Sequence, residues 1–267
     1  MNGARSLAYT VEAYNLSHAS ENKIHDNNIA SRLGFKGGLV PGVEVFAYAT
    51  HLALEYFGPE FLKRGAMECR FEQPVYDGQT ANVFAVEDRG GLDMTVESQD
   101  VVCATGSASM HAVPIAEPLA ANYEIVPPSA TRPPADEGSL AVDQILCTKP
   151  ETLTRDQLAS YLVDVRETNP IYTDESIAHP GILLRLCNSA LKDNVMLAPW
   201  IHTGSLMQNF AMARVGDVLS ARAKVVANYD RRGHRLVDLD CLIVANGHKP
   251  IAHVLHTAIY RLRHLAA

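Results

Sequence analysis

Val43, Phe46, Ala47, Thr50, Leu54 and Phe57 recur at helical spacing, which predicts a helix over 42–57 that Gly58-Pro59 stops. A second helix is expected near 180–193, again bracketed by Gly and Pro. Stretches of period-two alternation follow each: 82–87 and 95–110 after the first, then 221–227, 235–245 and 251–261 after the second. Turn signals at Arg89-Gly90-Gly91 and Asn246-Gly247 separate neighbouring strands. A helix with an apolar flank and a sheet with one apolar face can bury each other, and the simplest packing wraps the sheet around the helix. The expected class is therefore α+β, with two such units joined edge to edge.

The order of elements is duplicated. Glu21-Asn22-Lys23-Ile24-His25-Asp26 matches Thr168-Asn169-Pro170-Ile171-Tyr172-Thr173-Asp174, apart from one extra residue before the final Asp. Downstream, Arg70 to Gly78 resembles Asn209 to Asp217. Six of the 14 prolines fall between Pro114 and Pro134, in a stretch without sustained apolar period. Residues 113–138 thus read as a linker between a first unit, 1–112, and a second, 139–267.

Composition narrows the function classes. A chain of 267 residues, 47% apolar and 20% charged, is that of a globular protein able to fold without disulfides or structural metal. Its longest apolar runs fall far short of a membrane span, and the N-terminus lacks a basic-then-apolar leader pattern, so a cytoplasmic location and no membrane association are expected. The five cysteines are widely spaced and form no CxxC pair, so reduced core thiols are expected. Net charge is −7 with no basic cluster interleaved with aromatics, so no nucleic-acid partner is expected. The histidines at 179, 234, 248, 253 and 256 show no metal-like pairing with carboxylates, and no metal is expected. Gly34 to Gly42 matches neither GxGxxG nor GxxxxGK[ST], and no GxSxG elbow occurs, which argues against nucleotide binding and serine hydrolysis.

Asn22-Lys23-Ile24-His25-Asp26, followed by Gly34-Phe35-Lys36-Gly37-Gly38-Leu39-Val40-Pro41-Gly42, resembles the motif of the MaoC-like enoyl-thioester hydratases. Asn169 to Asp174 looks like a second copy. The resemblance implies a double hotdog, in which two long central helices are each wrapped by an antiparallel sheet. It also implies reversible hydration of a 2-enoyl thioester of CoA or of an acyl-carrier protein, without a cofactor, by a pseudo-dimer that can also form a homodimer. On that reading His25 is the acid–base residue, since imidazole titrates near neutrality. Gly42 and Val43, opening a helix, offer unpaired N–H groups to the thioester oxygen. Asn22 holds the loop, while Gly37 and Gly38 let substrate approach the backbone.

The departures from that motif matter equally. The family's catalytic Asp lies five residues before the His, where this chain has Ser20, and a hydroxyl can at most position a water. In the second copy Glu167 holds the Asp position, but Tyr172 holds that of the His. Among nearby carboxylates, Glu21 and Asp26 flank the motif, and Glu44 in the first turn of the helix is the preferred substitute. Glu44 would support a thioesterase using a helix carboxylate. A non-catalytic acyl-thioester-binding protein is the third reading. Glu44, Tyr48, His51 and Glu55 otherwise read as a solvated stripe, and His202 as a structural residue able to line a cleft between the halves.

Overall fold

The structure, a computed structural model, describes residues 5–17, 20–128 and 130–263. The first half contains β1 (Ser6–Glu12), α1 (Asn27–Arg32), α2 (Gly42–Phe57), α3 (Phe61–Arg64), β2 (Gly65–Phe71), β3 (Thr80–Asp88), β4 (Gly91–Ser98) and β5 (Val101–Met110). The second contains β6 (Ile145–Cys147), β7 (Glu151–Thr152), α4 (Arg155–Asp164), α5 (Ile171–Asp174), α6 (Pro180–Lys192), β8 (Ile201–Asn209), β9 (Val218–Arg231), β10 (His234–Ala245) and β11 (Lys249–Arg261). The strands form one antiparallel sheet in the order β1-β3-β4-β5-β2-β8-β11-β10-β9-β6, with β7 also on β9. Each side of the β2–β8 seam repeats the other in reverse. The seam pairs Met67 with Met207, both buried.

The duplication extends to individual hydrogen bonds. Val40 N–H donates to Val75 O as Ala178 N–H donates to Ala213 O, and Gly78 N–H donates to Ala13 O as Gly216 N–H donates to Leu153 O. Gly78 and Gly216 adopt φ of 72° and 97° at matching turns, a region that glycine enters without steric cost.

Several local expectations change. Residues 95–110 belong to two strands, because Gln99 and Asp100 both adopt positive φ and close a two-residue hairpin. Strand β1 precedes the central helix and pairs with β3. Periodicity does not mark helix α4. Its signal is a capping box, in which Thr154 Oγ1 accepts from Gln157 N–H and Gln157 Oε1 accepts from Thr154 N–H. The stripe expected to be solvated is corrected in its first half: Glu44 and Tyr48 are 0% and 1% exposed and His51 is half-buried, while Glu55 is exposed as expected. That flank of α2 packs against α6 and the loops of the second half, which makes α2 a helix buried almost all round.

The proline-rich segment is strapped along the second half. Arg222 Nη1 donates to Ala120 O at 2.6 Å, Tyr123 Oη to Asp240 Oδ1 at 2.9 Å, and Ala135 N–H to Met196 O at 2.9 Å. All five cysteines are buried and unpaired. No helix among the described residues is long and apolar enough to cross a membrane.

Candidate active site

His25 ends a 3-10 turn, Lys23–His25, that Asn22 caps by accepting from Ile24 N–H. Asp26 then caps α1, its Oδ1 accepting from Asn28 and Ile29 N–H. These two caps hold the imidazole between them. Its Nδ1 lies 2.7 Å from Leu39 O, and a carbonyl can only accept, so Nδ1 carries the proton and Nε2 the lone pair. Burial pushes the His25 imidazole below its ordinary value, opposed by the Leu39 carbonyl and assisted by the charge on Arg185. The ring is thus neutral at pH 7 and able to accept a proton at Nε2.

Asn22 joins this ring to the other half of the molecule. Its Oδ1 accepts from Trp200 N–H at 3.2 Å, and its Nδ2 donates to Trp200 O at 2.9 Å and to His25 Nε2 at 3.3 Å. The last bond is long, so a water can take it over. Gly38 is glycine for a packing reason, since a Cβ there would collide with the His25 carbonyl.

Two cavities meet at this histidine. A mainly apolar one of about 420 Å³ runs past Phe35, Leu39, Val75, Ile259 and Leu262, with Glu72, His234 and Arg263 also on its wall. A more polar one of about 530 Å³ opens past Ser20, Val43, Arg132, Arg185 and Lys192. Asn22, His25, Asn188 and Trp200 line both. Gly42 faces the first and Val43 the second, so the start of α2 stands at their junction. Pro41 offers α2 no side-chain cap, and the N–H groups of a first helical turn have no intrahelical acceptor.

The expected residues do not all converge. Gly37 and Gly38 support the His25 loop and are not among the residues lining either cavity. Ser20 lies in the polar cavity, but its Oγ donates to Asn22 O at 3.3 Å. Glu21 pairs with Arg132 at 2.9 Å, and Asp26 is occupied as a helix cap. Glu44, the preferred carboxylate, lines neither cavity: it is fully buried against Arg185, 2.6 Å away. The reason is the helix-on-helix packing that turned its stripe inward. Conversely, Asn188, Trp200, Phe71 and His202 line the apolar cavity with His25. Trp200 and His202 belong to one sequence run at the start of β8, whereas neither motif nor periodicity marks Asn188.

The corresponding place in the second half is filled. His179 Nδ1 accepts from Gly181 N–H at 3.0 Å and so caps α6, and the Tyr161 hydroxyl packs over Gly181. Tyr172 is 0% exposed and its ring lies 4.6 Å from that of His179. Glu167 finds imidazole partners elsewhere, in His51 Nδ1 at 2.8 Å and His179 Nε2 at 3.5 Å. Burial pushes the Glu167 carboxyl up, but the hydrogen bonds from His179 and His51 outweigh it and hold the group well below the usual carboxylate range. Among the described residues, no group of three or more His, Cys, Asp or Glu side chains is placed to hold a metal ion.

Two helices side by side, each wrapped by one half of a continuous antiparallel sheet, decide the architecture. The chain is a double hotdog. This double hotdog superposes on a protein from Chloroflexus aurantiacus J-10-fl described as a MaoC domain dehydratase, with TM-score 0.65, 11% identity, and 98% of this chain and 96% of that one covered. It superposes equally on Rv0216 of Mycobacterium tuberculosis, described as having a double hotdog fold, with TM-score 0.66, 14% identity and coverages of 97% and 96%. A MaoC-like dehydratase gives TM-score 0.61 at 14% identity, with coverages of 95% and 97%. Neither a family model nor a curated protein matches the sequence.

Proposed function

We propose that this double hotdog binds an acyl or enoyl thioester across the two joined cavities of its first half and reversibly hydrates the 2-enoyl form. The observation that carries the reading is a neutral imidazole, its Nε2 lone pair held only by a long bond from Asn22, beside an uncapped helix start at the mouth of an apolar cavity. The apolar cavity suits an acyl chain, and the other, where Arg132, Arg185 and Lys192 stand among the carboxylates that pair with them, suits the polar arm of CoA or of a carrier protein. The solved MaoC-like dehydratases of the same fold agree with this class of chemistry.

In the hydration direction His25 Nε2 takes one proton from water as its oxygen bonds to the β-carbon. The displaced electron pair moves through the α-carbon to the thioester oxygen, where the Gly42 and Val43 N–H groups offset the developing charge. The His25 imidazolium then returns the proton to the α-carbon, so one water is added and the enzyme is unchanged. Dehydration is the same path in reverse. The filled site of the second half supports a single active half per chain.

Incubation with crotonyl-CoA tests this reading against its rivals. Loss of enoyl absorbance without thiol release supports hydration. Release of free CoA supports a thioesterase, and thermal stabilisation without either supports a binding protein.

A further inference from the structure

Two buried polar atoms of residues that line the apolar cavity with His25, Asn188 Oδ1 and His202 Nδ1, have no hydrogen-bond partner among the described residues. His202 is 5% exposed and lines the apolar cavity with His25. Its Nε2 lies 3.1 Å from Gly204 O and 2.8 Å from Ser205 Oγ. The carbonyl can only accept, so Nε2 carries the proton and Nδ1 holds the lone pair. The Ser205 hydroxyl therefore accepts from His202 Nε2, and its Oγ also lies 2.9 Å from His256 Nδ1. The His256 ring stacks on that of His202 at 4.2 Å and fixes its plane.

The unpartnered Nδ1 faces the first residue of α2. A Cβ added to Gly42 would lie 2.9 Å from it and 2.9 Å from Phe71 Cδ2. His202 also follows Trp200, which Asn22 grips, by two residues, or about 6.6 Å of extended chain. The water of the proposed hydration has two protons to place, and His25 accepts only one. Ser20, turned to the Asn22 carbonyl, does not supply a carboxylate for the other.

We propose that His202 Nδ1 accepts a hydrogen bond from the second O–H of the reacting water and, in the reverse direction, from the substrate 3-hydroxyl. The proposal rests on the hydratase reading above. The first water proton passes to His25 Nε2 and then to the α-carbon, while the second stays on oxygen throughout and becomes the product hydroxyl. His202 gains and loses no proton. It is a catalytic residue that aims the water; Ser205, which accepts from its Nε2, and His256, stacked on its ring, are positioning residues.

The test compares the parent with His202→Leu, His202→Asn and Ser205→Ala, using crotonyl-CoA for turnover and unreactive butyryl-CoA for binding. His202→Leu is expected to lower kcat about 10–100-fold while KM and butyryl-CoA affinity change little, consistent with losing one aimed hydrogen bond in the transition state. His202→Asn, which puts an amide near the Nδ1 position, is expected to recover most of the loss. Ser205→Ala should show a smaller fall confined to kcat, and it decides the matter if His202→Leu does not fold. An active parent whose folded His202→Leu and Ser205→Ala forms hydrate at the parental rate overturns the proposal and leaves the hydratase reading standing. A parent that does not hydrate crotonyl-CoA overturns both.

Discussion

Glu44 of α2 and Arg185 of α6 meet at 2.6 Å between the packed central helices, with the carboxylate fully buried. Burial pushes the Glu44 carboxyl up, and the guanidinium opposes it. The pair joins the two halves and leaves the carboxylate turned from the cavities. Glu44→Gln is therefore expected to destabilise the fold by about 1–3 kcal/mol through a weakened charged hydrogen bond, with little change in turnover. Denaturant midpoints and initial rates check this. A folded Glu44→Gln that loses all activity would instead support a helix-carboxylate mechanism.

Gly42 lies where the helix start, His202 and Phe71 converge. A methyl group there would meet His202 Nδ1 and the Phe71 ring at 2.9 Å, so one or both must shift. Gly42→Ala should cost about 1–3 kcal/mol by overpacking, and lower kcat/KM for crotonyl-CoA at least tenfold by crowding the N–H donors. Parental kinetics in that variant would remove the helix start from the site.

Much of the fold was legible because it is local and repeated. The bounds of α2 and the bracketing of α6 by His179-Pro180-Gly181 follow from spacing and stop residues, and the edge-to-edge sheet follows from the duplicated order. The candidate site was legible only on its own side. Asn22 and His25 are marked by their motif, but Trp200, Asn188 and His202 arrive through the β2–β8 seam and the α2–α6 contact, which no local pattern encodes. Glu44 misled for the same reason: helical periodicity shows which residues share a face, and tertiary packing decides what covers it.

Stability should fall in mild acid. Burial holds His256 down to about 3, whereas an unfolded histidine titrates near 6.5. Between those values the unfolded chain binds a proton that the folded chain refuses, so stability rises with pH, with a slope of up to about 1.4 kcal/mol per pH unit for this group. His202, pushed well down by burial and by His256, acts in the same direction. Glu167, held low, adds stability that is full above about pH 4.3 and is lost as pH falls further. Urea midpoints should begin to drop below about pH 6.5, and His256→Gln should flatten that drop. A midpoint constant from pH 7.5 to 5 would contradict this account of the buried histidines.

Asn22→Ala removes the bonds to Trp200 and to the His25 ring together. Buried backbone groups of Trp200 then lose partners, at about 1–3 kcal/mol, and the imidazole loses its aim. Turnover of crotonyl-CoA should fall about tenfold or more, with Tm lowered as well. Unchanged kinetics would mean that the His25 ring is oriented by Leu39 alone.

The most direct measurement is hydration of crotonyl-CoA by the parent and by His25→Ala, with Tm recorded for both. Expected are measurable hydration by the parent, a kcat lowered about 10²–10⁴-fold in the variant, and a Tm lowered only by as much as the lost bond to Leu39 O explains, about 1–3 kcal/mol of stability. Equal turnover by parent and variant, or a large drop in Tm with turnover intact, would contradict the account.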